Sequence, residues 1–181
     1  MHRSAHLTRR SLTAALLALL MTASAAAQDA ARLARLPDVH VLTALKSGEW
    51  DDLDELMAEA LQEIDAYADT REIKLEAIAV VIYEAAGLKT FRARIGYVVD
   101  AAVKPRPGRY EKSMELRRLT GRAYVASGTG GMAEVIALRR KVLDALEQPG
   151  ARRVKGVETI ELFYGDLDDK NTKVEVYGPV R

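Results

Sequence analysis

Residues 159–166 read TIELFYGD and residues 173–180 read KVEVYGPV, two extended runs joined by a polar loop. Earlier in the chain, residues 78–84 read IAVVIYE and residues 92–99 read RARIGYVV. Moving the later pair back by 81 residues lays apolar positions on apolar positions. Because self-similarity at a fixed spacing indicates an internal repeat, the chain is predicted to contain one structural unit twice.

A helix is predicted before each pair of runs, and an extended run ending in Ser-Gly precedes each helix, at residues 39–48 and 122–128. The apolar positions of both helices follow the three-and-four spacing of a buried face, and a shift of 82 residues relates them. These positions are Leu53, Leu56, Ala60 and Ile64 in the first helix, and Val135, Leu138, Val142 and Leu146 in the second.

The predicted fold class is α+β, with tandem strand-helix-strand-strand modules related by a pseudo-twofold axis. Together they form an antiparallel sheet with two main helices on one side. The repeats cover about residues 36–103 and 114–181, within a single domain at 28–181. Residues 104–108, KPRPG, cannot continue a helix or a central strand and are predicted to be the linker between the repeats.

Residues 1–27 have the pattern of a cleavable export signal. Basic residues precede the apolar run at residues 16–21, and three alanines come directly before Gln28, the predicted first residue after cleavage. The apolar run is shorter than the roughly 20 residues of a membrane-spanning helix, so no stable membrane anchor is expected after cleavage. The protein is therefore expected to be periplasmic or secreted, and the pair Arg9 and Arg10 suggests twin-arginine export.

Composition limits the chemistry that this chain can perform. It has no cysteine, so disulfides are excluded, and the leader contains three of the 27 basic residues and none of the 26 acidic ones. The remainder is slightly acidic, and a nucleic-acid partner is not expected because such partners require clustered positive charge. His40 is the one histidine outside the leader. Neither a metal site, a cofactor nor a catalytic residue is predicted.

Residues 128–133, GTGGMA, match the loose glycine pattern of a dinucleotide-binding turn. That function also requires an acidic residue about 20 positions further along the chain, where Arg152 and Arg153 occur instead. We interpret these glycines as a turn that leads into the second helix.

The order of elements resembles that of the GyrI-like small-molecule-binding domain, also called the bacterial effector-binding domain. Residues 116–128 resemble the first strand of its second module and the glycine that follows. Residues 160–166 resemble the next strand, and residues 173–180 resemble the closing strand with its acidic-aliphatic-aromatic-x-Pro-Val ending. Residues 129–131, TGG, replace the usual proline or aromatic residue, a change expected to open the mouth of the pocket.

This resemblance implies a cleft between the modules that takes up hydrophobic, often cationic compounds, with Glu161 at its floor. Val80 stands at the equivalent place under the 81-residue shift, so one acid is predicted there. Phe163 shares a strand face with Glu161 and is its expected neighbour. The other candidate ligand-binding aromatic residues are Trp50, Tyr83, Tyr97, Tyr124 and Tyr177. In the structural alternative, Glu161 faces solvent or pairs across strands with Arg94 or Lys173.

The leading functional hypothesis is periplasmic binding of a hydrophobic or amphipathic small molecule, which can be cationic, in the cleft between the repeats. Two alternatives remain open. One is a small hydrolase that uses Glu161, with Glu158, to activate water. The other is a haem-binding or protein-interaction module similar to SOUL proteins. A binding protein is favoured over an enzyme, and the sequence indicates no particular oligomeric state.

Overall fold

A computed structural model of the chain describes residues 30–103, 113–167 and 169–181. Ala31–Arg181 forms one compact unit. The predicted export signal at residues 1–27 and the predicted linker at residues 104–108 lie outside the described residues, so both assignments remain predictions.

Eight strands and two helices make up the described part of the chain, and every strand pairing is antiparallel. The strands are β1 Arg32–Arg35, β2 Val39–Glu49, β3 Leu75–Ala86, β4 Thr90–Val99, β5 Met114–Leu119, β6 Arg122–Thr129, β7 Thr159–Tyr164 and β8 Lys173–Val180. The helices are α1 Leu53–Asp69 and α2 Met132–Leu146, and a short 3-10 turn, Trp50–Asp52, precedes α1.

The strand order is β1-β6-β8-β7-β3-β4-β2-β5, which reads as two mirrored halves. The first module is β2-α1-β3-β4 and the second is β6-α2-β7-β8, and they meet where β3 pairs with β7. The predicted α+β class and the duplicated architecture are therefore confirmed. Strand β1 precedes the first module but pairs with β6 of the second, whereas β5 precedes the second and pairs with β2 of the first.

Short connections force this sheet to curl. Only three residues join β1 to β2, and two join β5 to β6, yet each connection links opposite ends of the strand order. A flat sheet would place these strands about 29 Å apart, whereas the connections reach about 14 Å and about 10 Å. Gly121 has φ +120° in the β5–β6 connection, a conformation that suits glycine. Residues 116–128, expected to form one strand and its glycine, are therefore divided between β5 and β6.

The curled sheet buries side chains on both faces. On one face it packs against the helices, whose buried positions include Leu53, Ala60 and Ile64 of α1, and Val135, Leu138, Val142 and Leu146 of α2. The predicted helix faces and their 82-residue relationship are thus confirmed, with Leu56 partly buried beside them. On the opposite face, side chains from the centre and both edges of the sheet form a second apolar cluster, which includes Leu36, Val41, Val80, Leu119, Val125 and Leu162.

The alignment of the central strands requires one correction. Val176 pairs with Glu161 in the second module, and Ile95 pairs with Val81 in the first. Val176 follows Ile95 by 81 residues, but Glu161 follows Val81 by 80. The predicted equivalence of Glu161 with Val80 is therefore wrong, because Val80 lies on the opposite face of the sheet.

The alignment of Tyr164 with Tyr83 is wrong for the same reason, since Tyr83 belongs to the helix-side cluster and Tyr164 packs against the opposite one. An irregularity in the β3–β4 pairing between Tyr83 and Ala85 changes the relationship between the two hairpins by one residue.

Candidate ligand-binding site

The site lies on the helix side of the central strands β3 and β7. Helix α1 packs mainly on β2 and β4, and α2 packs mainly on β6 and β8, so each helix lies over the outer strands of its own module. Strand alternation directs three successive cross-strand pairs towards the helices: Ala79 with Phe163, Val81 with Glu161, and Tyr83 with Thr159. The pseudo-twofold axis passes through the middle pair, which makes the two outer positions, here the Phe163 end and the Tyr83 end, equivalent.

Three aromatic rings pack together at the Tyr83 end. The ring centroid of Trp50 lies 5.7 Å from that of Tyr83 and 5.2 Å from that of Phe91. The Tyr83 and Phe91 rings meet edge to face at 6.4 Å. The indole N–H of Trp50 donates a hydrogen bond to the carbonyl of Gly87 at 2.9 Å, which fixes the ring at the hairpin between β3 and β4. The result is an aromatic wall beside Glu161.

Arg139 of α2 extends into this end. Its Nε donates a hydrogen bond to Oε1 of Glu161 at 2.7 Å. The centre of its guanidinium lies 4.4 Å from the Tyr83 ring centroid and 5.6 Å from that of Trp50, both within the range of a cation–π interaction. The side chain of Glu161 is 2% exposed and that of Arg139 is 16% exposed. The predicted acid at the floor of the cleft is therefore buried and already paired with a cation from the same chain.

Burial raises the pKa of the Glu161 carboxyl above its usual range, and the charge and hydrogen bond of Arg139 oppose that rise. For Arg139, burial lowers the pKa, but the attraction of Glu161 outweighs it and the guanidinium holds its proton more firmly. Burial, together with the nearby charge of Glu161, also raises the pKa of the Tyr83 hydroxyl. Glu161 and Arg139 thus depend on each other for their charged forms.

The Phe163 end contains a cavity of about 700 Å³. Its apolar lining comes from both helices and the central strands: Met57, Ala58, Leu61, Ala79, Tyr97, Met132, Val135 and Phe163. Asp54, Asp166 and Lys170 add charged groups, and Gly130 and Gly131 also belong to the lining. The departure from the family pattern at residues 129–131 thus lies partly at this cavity.

Five of the predicted ligand-binding residues lie at or beside this central region. Glu161, Trp50 and Tyr83 form the Tyr83 end, whereas Phe163 and Tyr97 line the cavity. The predicted shared face of Glu161 and Phe163 is confirmed by the pairing of β7 with β3 and by the contacts of both side chains on the helix side.

The two remaining candidates lie elsewhere. Tyr124 packs against the helix-side core from β6, an outer strand, and is not part of the cavity lining. Tyr177 belongs to the apolar cluster on the opposite face, so its assignment to the cleft is wrong. Since Val176 faces the helices, strand alternation turns the next residue away from them.

The predicted cross-strand partners of Glu161 are also wrong. Arg94 pairs with Glu84 at 2.8 Å and with Glu115 at 2.9 Å, and Lys173 pairs with Glu175 at 2.8 Å. The actual partner, Arg139, was absent from the sequence prediction. Its signal was a charged residue in the apolar stripe of α2, at the position where the 82-residue shift places Met57 of α1.

On the opposite face, Glu175 accepts hydrogen bonds from the hydroxyls of Tyr164 at 2.6 Å and Tyr177 at 2.5 Å. Burial raises the pKa of Glu175, but these bonds and Lys173 together outweigh it and hold the pKa below its usual range. This cluster is a structural feature of β7 and β8, separated from the cleft by the sheet.

A second cavity of about 780 Å³ lies at the end of α1, lined by residues 70–74 with Asp100, Ala102 and Val103. It borders residues that the structure does not describe, and it lies away from Glu161 and the aromatic wall. Among the described residues, no group of three or more His, Asp or Glu could hold a metal ion. None of the helices in that part of the chain is both long and apolar enough to span a membrane.

No sequence profile of a known family matches the chain. No curated protein matches it either. Several solved structures nevertheless share its fold. The C-terminal domain of EcmrR is 12% identical with a TM-score of 0.63, covering 83% of this chain and 96% of that domain. In the EcmrR–DNA complex, the matched region is 57% of the EcmrR chain.

SAV2435, solved bound to tetraphenylphosphonium, is 15% identical with a TM-score of 0.54 over 83% of this chain and 93% of its own. A hydrolase encoded by lin2189 from Listeria innocua is 13% identical with a TM-score of 0.53, covering 84% and 93%. At these identities the likeness shows the fold. The chain therefore has the fold of a GyrI-like small-molecule-binding domain, as the sequence resemblance predicted.

Proposed function

We propose that the protein binds a hydrophobic or amphipathic small molecule in the cavity at the Phe163 end. The observation that carries this proposal is the cavity itself, about 700 Å³ between two helices and two modules, with a mainly apolar lining. Its size falls within the range of small-molecule sites in proteins, roughly 300–1,000 Å³. The tetraphenylphosphonium bound to SAV2435 supports the same class of ligand in a protein of this fold.

The side chains of the cavity suit an amphipathic ligand. Met57 and Met132 approach from the two helices, and methionine adapts its shape to irregular apolar partners. Asp54, Asp166 and Lys170 provide charged groups to which the polar part of a ligand can be oriented. The apolar part would lie against Phe163 and the polar part towards these groups.

The cavity can be blocked without altering the buried core. Ala58 lines the cavity but is exposed on α1, so Ala58→Trp adds a large ring at its side. Ala137→Trp is the matched control, because Ala137 is exposed on α2 and does not line the cavity. We expect wild type and Ala137→Trp to bind the neutral dye Nile red with similar dissociation constants. Ala58→Trp should bind it at least about tenfold more weakly, which corresponds to about 1.4 kcal/mol.

Thermal unfolding of all three proteins shows whether the fold is intact. Absence of Nile red binding to the wild type, together with a lack of stabilisation by a panel of neutral and charged amphiphiles, would contradict the proposed function. Equal affinity of wild type and a folded Ala58→Trp variant would place the ligand elsewhere.

The hydrolase alternative loses its principal residue. Glu161 is buried and accepts a hydrogen bond from Arg139, so its carboxylate is poorly placed to activate water. No observed contact specifically favours haem binding or a protein-interaction function over small-molecule binding.

We also propose that the protein acts after export, on the basis of the leader sequence. Cell fractionation and an intact mass that begins at Gln28 would support this location. Recovery of the uncleaved chain from the cytoplasm would refute it.

A further inference from the structure

Arg139 makes the contacts that a bound organic cation would make in the Tyr83 end of the cleft. It donates a hydrogen bond to Glu161 at 2.7 Å and lies 4.4 Å above the Tyr83 ring, with Trp50 at 5.6 Å. A carboxylate with aromatic faces around it is a typical site for a cation in proteins. In this protein the cation belongs to the chain.

We propose that Arg139 occupies the cation position of the cleft and thereby makes the binding site selective for neutral ligands over cationic ones. This inference rests on the proposed function, since it assigns the ligand class of the same cleft. Arg139 is a specificity-determining residue under this proposal, because it withholds Glu161 from any incoming positive charge.

Displacement of Arg139 would bring little gain to a cationic ligand. The ligand would exchange one cation for another at Glu161, and the displaced guanidinium would lose both its carboxylate and its aromatic contacts. Arg139 is also held on α2 beside its partner, so it competes as an intramolecular group at high effective concentration. A neutral ligand in the cavity at the Phe163 end requires no such exchange.

The first module shows what the cleft would contain without this cation. Met57 of α1 occupies the position equivalent to Arg139 and lines the open cavity. Substitution of Arg139 by methionine therefore copies onto α2 a side chain that the same fold already accepts, and it leaves Glu161 without its internal partner.

The test compares phenyltrimethylammonium with tert-butylbenzene, two probes of the same shape that differ in one charge. Binding is measured by calorimetry at pH 8 for wild type, Arg139→Met and the double variant Arg139→Met/Glu161→Gln. We expect Arg139→Met to shift the affinity ratio towards the cation by at least about tenfold. The double variant should lose that shift, because the acid that attracts the cation has been removed.

Arg139→Gln is included because its amide can still donate to Glu161, which supports the fold if Arg139→Met does not fold. An unchanged ratio in the folded single variants would overturn the inference, and so would a shift that persists in the double variant. Nile red separates this failure from failure of the proposed function. If wild type binds Nile red and the ratio does not shift, only the selectivity role of Arg139 is refuted.

Discussion

The two ends of the cleft occupy equivalent positions in a duplicated fold, yet one is open and the other is filled. At the Phe163 end, the methionines Met57 and Met132 line a cavity of about 700 Å³. At the Tyr83 end, the equivalent positions hold Arg139 and Trp50, which pack against Tyr83. The backbone topology is common to both ends, so the difference arises from the side chains. Duplication fixed the place of a cleft, and substitutions at a few positions decided which half can accept a ligand.

The filled end is expected to contribute to stability as well as to selectivity. A buried ion pair is costly to desolvate, but removing one partner leaves the other charge buried without compensation. Glu161 is less exposed than Arg139, so loss of Arg139 should be the more damaging of the two single changes. The open end carries no such dependence, and equivalent positions should therefore respond differently to substitution.

The largest expected effect is that of Arg139→Met, which should lower the free energy of unfolding by about 3–4 kcal/mol at pH 8. Burial raises the pKa of Glu161 above its ordinary value of 4.5, and the variant lacks the cation that opposes this rise. The stability cost should therefore be smallest below pH 4.5 and grow as the pH rises through the raised pKa. Urea unfolding of wild type and variant from pH 4 to pH 8 measures this difference.

Glu161→Gln is the control for this prediction. Glutamine can still accept the hydrogen bond from Arg139, and the guanidinium is more exposed than the carboxylate, so the expected cost is about 1–2 kcal/mol. A larger cost for Glu161→Gln than for Arg139→Met, or an Arg139→Met cost that does not change with pH, would show that the pair is not coupled as described.

A smaller effect is expected at the pair of equivalent positions Trp50 and Met132. Trp50→Ala removes the ring that packs on Tyr83 and Phe91 and should cost about 2 kcal/mol, less than a fully buried aromatic residue because Trp50 is only half-buried. Met132→Ala should change stability by less than about 0.5 kcal/mol, because that side chain is 44% exposed beside the open cavity. Similar costs for both substitutions, measured by urea unfolding, would mean that the two ends are packed alike.

Much of this comparison could be predicted from the sequence, because it depends on short-range periodicity. The apolar spacing of the helices identified both buried faces, and alternation along β7 placed Glu161 and Phe163 together. Where periodicity was not applied, the prediction failed: Tyr177 was assigned to the cleft, although alternation with Val176 turns it to the other face.

The features that the sequence did not reveal depend on contacts between distant parts of the chain. The irregularity of β3 near Ala85 shifts the repeat by one residue, and no local signal separates it from a regular strand. The exchange of β1 and β5 between modules is set by the closure of the sheet. Arg139 is the instructive case, since a charged residue in an otherwise apolar helix stripe was visible, but its partner on β7 could be identified only from the fold.

The smallest predicted effect lies on the opposite face, where equivalent positions again differ: Glu175 stands where the first module has Arg94. Hydrogen bonds from Tyr164 and Tyr177, together with Lys173, lower the pKa of Glu175 from its ordinary value of 4.5. The ionised form is thus favoured by folding, and its contribution is present above pH 4.5 and lost as the pH falls through the lowered pKa.

Glu175→Gln should therefore cost about 1 kcal/mol at pH 7, and the difference from wild type should disappear at low pH. Glu147→Gln, exposed just after α2, is the control and should leave the pH dependence of stability unchanged. Thermal unfolding from pH 3 to pH 7 distinguishes the two variants. A Glu175→Gln cost that stays constant across this range would mean that lost packing, and not the charge of the carboxylate, is what the substitution removes.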